Sequence, residues 1–346
     1  MDFELPDNLF IRHRLHQVEP GRFFLEATFR AELLSRRPVL NLPLLPPCRA
    51  TVLEEVPALT RHLSSLLLLG PGMLGLAEAF APLVRRIVEL DRKSPDGGVA
   101  AMLLCPRQDY TAHHSICTAL LACRFARALN FDEGDVYRLA MAALVMNLGA
   151  ASLHNEMARQ ESPPSSLQRM QLRMHPLVSS ALLREGGVED DNLHALVLSH
   201  HERLDGRGYP FGLPDEDIVP AAQLLHLLDV VVAKLTPRSY RSRMTPKQAL
   251  SQLYHQTHEP FAPIHVSRLV KTLGVFPAGS FVELENGQTA IVVEQTESAA
   301  TPLVATLSRG AKLIETSSPG QRIRRDVTLR VGERHLPLFI PFWRLE

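Results

Sequence analysis

The residues best suited to chemistry are concentrated in the run HHERLDGRGYP, residues 200–210. Neutral imidazoles bind divalent metals, and glycines allow a ligand to approach the backbone closely. The apolar residues before this run share one buried helix face with His200 at the spacing i, i+3, i+4, i+7: Leu193, Leu196 and Val197. His200 should therefore point into the protein, with His201 about 100° around the helix axis. Gly206 and Gly208 then predict a tight turn beside both histidines.

This run resembles the signature HHE-x-x-DG-x-GYP of the HD-GYP family of cyclic di-GMP phosphodiesterases. The resemblance covers roughly residues 101–260, about half of the chain, and implies an HD-type helical bundle with bound divalent metal. It also implies that the turn takes part in substrate binding. The turn residues concerned are Asp205, Gly206, Gly208, Tyr209 and Pro210.

Further metal ligands follow from the same resemblance. The segment YTAHHS, residues 110–115, resembles the family's YT-x-x-HS and makes His114 the first ligand, while His175 stands before a proline as the family's third histidine does. Asp229 matches a ligand aspartate, and its place in an apolar helical stripe is costly unless a metal or cation meets it. The implied set is His114, His175, His200, His201 and Asp229. Arg238 and Arg241 fall where the family keeps basic residues that contact phosphates, a role that suits guanidinium groups.

The chain departs from the family where the His-Asp pair should stand. The family reads LLHDIGK, whereas this chain reads LVMNLGA, with Met146, Asn147 and Ala150 in place of histidine, aspartate and lysine. Two metals about 3.5–4 Å apart need a bridging negative charge that a neutral amide does not supply. A thioether is also poorly matched to hard divalent cations. We therefore expect a degenerate HD-GYP domain.

The surviving histidines could still hold one metal. Three imidazoles with an open position, His175, His200 and His201, form a workable site for iron, manganese or zinc. The second site, which would use His114 and Asp229, has lost its bridging carboxylate and should be weak or empty.

The sequence predicts a mainly α fold in three parts. Residues 1–100 read as an N-terminal helical or regulatory region, 101–274 as the degenerate HD-GYP domain, and 275–346 as a small antiparallel, barrel-like β domain. In the last part, Asn286-Gly287 between two β-type runs predicts a hairpin. Three local predictions are a helix over 23–34, a loop over 94–98, and a new helix that begins at Pro176. Further strands are expected at 303–307 and 327–331.

Composition limits the classes of partner. Apolar residues make up 45% of the chain, and Lys+Arg equals Asp+Glu at 37 each, so we expect neither nucleic acid nor a membrane as a partner. Residues 62–84 are apolar but contain Gly70-Pro71-Gly72, which favours two core helices over a membrane span. Four cysteines without C-x-x-C spacing and a charged N-terminus indicate a cytoplasmic protein. A homodimer is compatible with the sequence.

Three functions are compatible with the sequence. The chain could be a slow one-metal phosphodiesterase, a catalytically silent sensor that binds cyclic di-GMP through the turn and both arginines, or a module that docks protein partners through the turn. Losing one preorganised electrostatic group commonly costs about a hundred- to a thousandfold in rate. Because three such groups are missing, the sequence favours the sensor.

Overall fold

The computed structural model describes residues 3–35, 43–69, 75–106, 109–236, 244–255, 261–307, 311–329 and 331–345. Its helices are α1 Leu9–Arg12, α2 Ala27–Ser35, α3 Val52–Leu69, α4 Leu76–Lys93, α5 Pro95–Leu104, α6 Tyr110–Ala128, α7 Glu133–Val145, α8 Ala151–Arg159, α9 Ser166–Glu185, α10 Asp191–Ser199, α11 Pro220–Leu235, α12 Pro246–His255 and α13 Pro263–Leu273. Its strands are β1 Leu15–Glu19, β2 Arg22–Leu25, β3 Phe281–Leu284, β4 Thr289–Glu294, β5 Leu303–Thr306, β6 Leu313–Glu315 and β7 Ile323–Val327. The predicted mainly helical fold with an antiparallel sheet is confirmed.

Helix α6 is the centre of the bundle. It packs against α3, α4, α5, α7, α8, α11 and α13, and nearly all of its residues are buried. The small side chains of Ala112, Ala119 and Ala122 allow neighbouring helices to approach closely. The helix begins one turn before His114 because Asp109 accepts a hydrogen bond from the N–H of Ala112 at 2.8 Å.

One continuous helix carries His175. The predicted start of a new helix at Pro176 is wrong, because α9 runs unbroken from Ser166 to Glu185 with the proline inside it. The helix begins with a reciprocal hydrogen-bond pair between Ser165 and Gln168, which satisfies two of its free N–H groups. It ends before Gly186-Gly187, as the sequence indicates.

The predicted loop over 94–98 is also wrong, since α5 begins at Pro95. A Cβ on Gly97 would lie 2.8 Å from Val52 Cγ2 and 3.1 Å from Trp343 Cβ. Gly97 therefore serves close packing rather than a turn.

The N-terminal unit, residues 3–35, contains a β-hairpin as well as helix. The predicted helix over 23–34 is wrong in its first part, because β2 pairs with β1 and α2 begins only at Ala27. The unit lies against α9. The N–H of Leu25 donates to Glu185 Oε1 at 3.2 Å, and Arg30 pairs with Glu185 Oε2 at 2.9 Å.

The C-terminal strands form one antiparallel sheet in the order β6-β5-β4-β3-β7. The Asn286-Gly287 hairpin joins β3 and β4 as predicted, whereas the last strand lies at Ile323–Val327 and not at 327–331. Within the described residues the sheet is open, with β6 and β7 at its edges, where a barrel-like closure was expected. Trp343 Nε1 donates to Val293 O at 3.0 Å and fixes the C-terminal segment to the sheet.

One stretch, Glu133–Arg159, is long and apolar enough to cross a membrane by length and composition. In the structure it is α7, a 3-10 turn at Leu148–Ala150 and α8, and 72% of its most apolar window is buried within the protein. This is the pattern of core helices.

Candidate metal centre and GYP turn

Three histidines from two elements converge. One ligand atom from each of His175, His200 and His201 lies within 4.8 Å of the other two. His175 comes from the middle of α9, and the other two follow the end of α10. Among the described residues this is the group of side chains that could hold a metal ion.

A proline orients His175. A helical Pro176 has no N–H to donate to the carbonyl of Leu172 four residues earlier. Nδ1 of His175 lies 2.6 Å from that carbonyl oxygen and donates to it. The ring is thereby fixed with Nε2 directed away from α9, toward His200.

The end of α10 orients His200 in the same way. The helix ends at Ser199, and Nδ1 of His200 donates to the carbonyl of Val197, 2.7 Å away in the last turn. His201 is held by its ring, which stacks on Tyr209 with centroids 4.6 Å apart. Each histidine therefore has a contact that sets its orientation, as ligand histidines commonly do.

The electrostatics of this cluster fit a cation. Burial lowers the pKa of His175 to about 4 and that of His200 to about 3, and it holds the pKa of His201 well below its ordinary value. The rings are neutral at pH 7, and with Nδ1–H already donating, Nε2 of His175 and Nε2 of His200 both present lone pairs at 3.1 Å. Two lone pairs so close repel each other unless a proton or a metal ion lies between the two nitrogens. The donor set therefore fits one divalent metal of the kind that imidazole binds.

The two other predicted ligands contact each other. His114 Nε2 lies 2.7 Å from Asp229 Oδ1, and both side chains are largely buried. Burial opposes ionisation of Asp229, but the attraction and hydrogen bond of His114, with the nearby imidazoles, hold its pKa well below the usual range. The carboxylate placed in the apolar stripe of α11 thus has its partner within the protein.

The Met146-Asn147 segment follows the end of α7 and packs against α9, the helix that carries His175. Met146 is fully buried, and its carbonyl accepts a hydrogen bond from Ser179 Oγ at 2.7 Å. Asn147 is 2% exposed, and its Nδ2 has no hydrogen-bond partner in the described part of the chain. A Cβ on Gly149 would lie 2.8 Å from His175 O, which shows how closely this segment packs against α9. Ala150 is also buried.

The GYP turn, residues 205–210, folds back on the end of α10. Gly206 has φ +68°, and a Cβ on Gly208 would lie 2.4 Å from Glu202 Cα, so both positions require glycine. The N–H of Tyr209 donates to His201 O at 3.1 Å, and the Tyr209–Pro210 peptide bond is cis.

The remaining predicted binding residues differ in their surroundings. Asp205 accepts hydrogen bonds from Arg203 Nε at 3.0 Å and Nη2 at 2.6 Å, so an internal cation already occupies its carboxylate. Arg238 and Arg241 lie outside the described residues.

Sequence reasoning missed four neighbours of the site. The ring centroid of His154 lies 5.7 Å from that of His175, and His226 Nδ1 lies 2.8 Å from His200 O. Glu202 is buried beneath the GYP turn, and the guanidinium of Arg173 stands over Tyr209. Of these four, only Glu202 could have been found from the sequence, since it belongs to the run HHERLDGRGYP.

Comparison with known proteins agrees with this architecture. The family model described as "HD domain" matches residues 74–261, more than half of the chain, so the chain belongs to the HD domain family. The match begins within the region expected to precede the domain. Curated relatives include cyclic di-GMP phosphodiesterase PA4108 of Pseudomonas aeruginosa, 27% identical over 203 residues. Another is the cyclic di-GMP phosphodiesterase response regulator RpfG of Xanthomonas campestris pv. campestris, 31% identical over 147 residues. The resemblance to this class of phosphodiesterases is thereby confirmed.

The extent of these matches is partial. They cover 59% and 42% of this chain, and the chain spans 49% and 39% of the two relatives. Among solved structures, the fold is similar to "Bd1817, a HDG"Y"P protein from Bdellovibrio bacteriovorus", with a TM-score of 0.52 and 16% identity over 63% of this chain and 70% of that one.

Proposed function

We propose that this protein is a cyclic di-GMP signalling protein whose HD domain binds the nucleotide but has lost most or all phosphodiesterase activity. The observation that carries the proposal is Asn147, a buried neutral amide at the motif position of the aspartate, in a segment that packs against the helix carrying His175. The relatives named above are phosphodiesterases, and a two-metal site of that kind needs a negative charge between its cations. An amide does not supply that charge.

We further propose one divalent metal, iron, manganese or zinc, at His175, His200 and His201. The paired lone pairs of His175 and His200 support this assignment. A cation held there would polarise a phosphoryl oxygen. The pair His114–Asp229 supports a weak or empty second site, because its members satisfy each other at 2.7 Å.

The residues of this chain would bind and orient the nucleotide. We assign the GYP turn, together with Arg238 and Arg241, to contact with the ligand, and Tyr209 links that turn to His201 by ring stacking. A cytoplasmic location fits this role. The four cysteines form no disulfide in the described structure, which is in keeping with a reducing compartment.

The first experiment measures metal and nucleotide separately. Protein purified without chelators should contain about one metal ion per chain, and His200→Ala should lower this while the exposed His13→Ala leaves it unchanged. Calorimetry with cyclic di-GMP should show saturable binding. Two tightly held metals per chain, or no binding at high concentration, would refute the proposal.

A second candidate is a slow phosphodiesterase, favoured by the orientation of all three imidazoles toward one point. Release of linear pGpG or GMP tests it directly. Met146→His together with Asn147→Asp should raise turnover by at least about a hundredfold if the missing pair limits the reaction. Brisk cleavage by the unchanged protein would instead overturn the non-hydrolytic proposal.

A docking role for the GYP turn has less support. Phe211, which directly follows the turn, already packs against Phe3 and Phe23 of the N-terminal unit, with ring centroids 5.0 and 6.1 Å away.

A further inference from the structure

A cavity lies beside Pro210 of the GYP turn, between the N-terminal unit and the first half of α9. Its volume is about 410 Å³, within the range of about 300–1,000 Å³ that is usual for small-molecule sites. Four apolar residues and two arginines form most of its lining: Pro6, Ile11, Met170, Pro210, Arg169 and Arg173.

The two arginines give this cavity a positive charge. Arg169 and Arg173 are four residues apart on α9 and so lie on one face of the helix. Arg169 donates to Pro164 O and to Ser166 Oγ, and neither guanidinium has a carboxylate within 4.0 Å in the described part of the chain. The charge of Arg173 interacts with that of Glu202, which lies beyond ion-pair distance. Neither guanidinium is therefore held in an ion pair within the described part of the chain.

The cavity is connected to the candidate metal centre by stacked rings. The guanidinium of Arg173 lies 5.5 Å from the ring centroid of Tyr209, and the ring of Tyr209 stacks on that of His201. A ligand that draws Arg173 into the cavity would change the contact that holds Tyr209 in place.

We infer that this cavity binds a phosphate monoester carried by a small organic molecule. A phosphate monoester has a charge of about −1.5 to −2 at pH 7 and can neutralise both arginines, whereas a carboxylate can neutralise only one. Guanidinium groups also match phosphate oxygens with two parallel hydrogen bonds. The apolar walls formed by Ile11, Met170 and Pro210 would hold the organic part. This inference does not depend on the proposed function of the metal centre.

Met170 offers a probe within the cavity. In the full-length protein with ¹³C-labelled methionine methyl groups, AMP should shift the Met170 resonance saturably, while adenosine should not. Arg169→Gln together with Arg173→Gln should weaken AMP binding by at least about tenfold, as expected for the loss of charged hydrogen bonds. The exposed Arg268→Gln on α13 is the matched control and should leave the affinity unchanged. Met102 and Met141, both buried in the bundle, report that each variant is folded.

A second variant tests the sign of the charge. Asn8 lines the cavity and caps α1 by accepting the N–H of Phe10 at 2.9 Å. Asn8→Asp keeps an effective cap but places a negative charge in the cavity, so it should weaken AMP binding.

Three results would overturn the inference: a Met170 resonance that AMP does not move, an equal response to adenosine, or unchanged affinity in the double arginine variant. Inorganic phosphate that binds as tightly as AMP would overturn the organic part of the assignment. The calorimetric titration with cyclic di-GMP tests the proposed function separately, so its failure would count against that function and not against this cavity.

Discussion

The carboxylate of Glu202 fastens the GYP turn to the residues that carry His200 and His201. Glu202 is 1% exposed, and its Oε1 accepts hydrogen bonds from the N–H groups of Phe211 at 2.7 Å and Gly212 at 3.2 Å. Its Oε2 accepts a third from Leu213 at 3.0 Å. These bonds connect the predicted ligand-binding turn to the predicted metal ligands through one side chain.

Replacing this carboxylate should loosen the turn. In Glu202→Gln the amide NH2 group would face the N–H of Leu213, and leaving that donor unsatisfied should cost about 1–3 kcal/mol of unfolding free energy. Glu202→Ala, which removes all three acceptor contacts, should cost more. Urea unfolding measures the loss, and hydrogen exchange should accelerate at residues 211–213. Glu161→Gln, at an exposed position, is the control; equal stability of Glu202→Gln and this control would contradict the assigned role.

At the scale of elements, the 3-10 turn Leu148–Ala150 is pressed against α9. Ala at position 149 would place Cβ 2.8 Å from His175 O and from Ser179 N, which are backbone atoms with little freedom to move. Gly149→Ala should therefore destabilise the protein by about 1–3 kcal/mol and lower its metal content by displacing His175.

Gly98 provides the matched comparison. It lies inside α5, where the atom nearest to an added Cβ is Leu120 Cδ2 at 3.5 Å, an ordinary contact. Gly98→Ala should be neutral or stabilising by up to about 1 kcal/mol, because alanine favours the helix. The midpoint of urea unfolding should thus fall for Gly149→Ala and stay unchanged or rise for Gly98→Ala, and a similar loss in both variants would contradict this account of Gly149.

Elements defined by local chemistry were predictable from the sequence. Asp132 caps α7 by accepting the N–H of Asp135, and the Asn286-Gly287 hairpin forms, because both depend on neighbouring residues. The wrong predictions fall where contacts between residues distant in the sequence determine the structure. Helix α5 includes Gly97, against which Trp343 packs. Pro176 stays within α9, and the carbonyl of Leu172, to which the proline has no N–H to donate, accepts a hydrogen bond from His175 instead. The contact of Phe3 with Phe211 has no local signal at all.

The candidate site shows the same division. The burial of Asp229 in an apolar helix predicted that a metal or cation would meet it, and in the structure His114 Nε2 lies 2.7 Å from its Oδ1. The spacing of residues does not reveal that His154 lies beside His175 or that Arg173 stands over Tyr209, since these contacts depend on how α8, α9 and the GYP turn meet.

For the whole molecule, buried neutral histidines make stability depend on pH. His194, away from the candidate metal ligands, is 1% exposed and lies between Ser180 Oγ at 2.8 Å and Val188 O at 2.9 Å. Burial lowers its pKa from 6.5 to about 4. As pH falls below 6.5, the unfolded chain therefore takes up a proton before the folded protein does. Stability is fully present above pH 6.5, declines as the pH falls to about 4, and changes no further from this group below that.

This dependence can be measured on protein stripped of metal. Urea unfolding at pH 7 and at pH 4.5 should show a loss to which His194 contributes up to about 3 kcal/mol. His194→Gln cannot bind that proton, so its stability should fall less between the two pH values, even if it is less stable than the original protein at pH 7. His13→Gln, at an exposed position, should retain the full dependence. If His194→Gln loses as much stability on acidification as His13→Gln does, then His194 is not held neutral by the fold, and the decline arises at other buried groups such as His175 and His200.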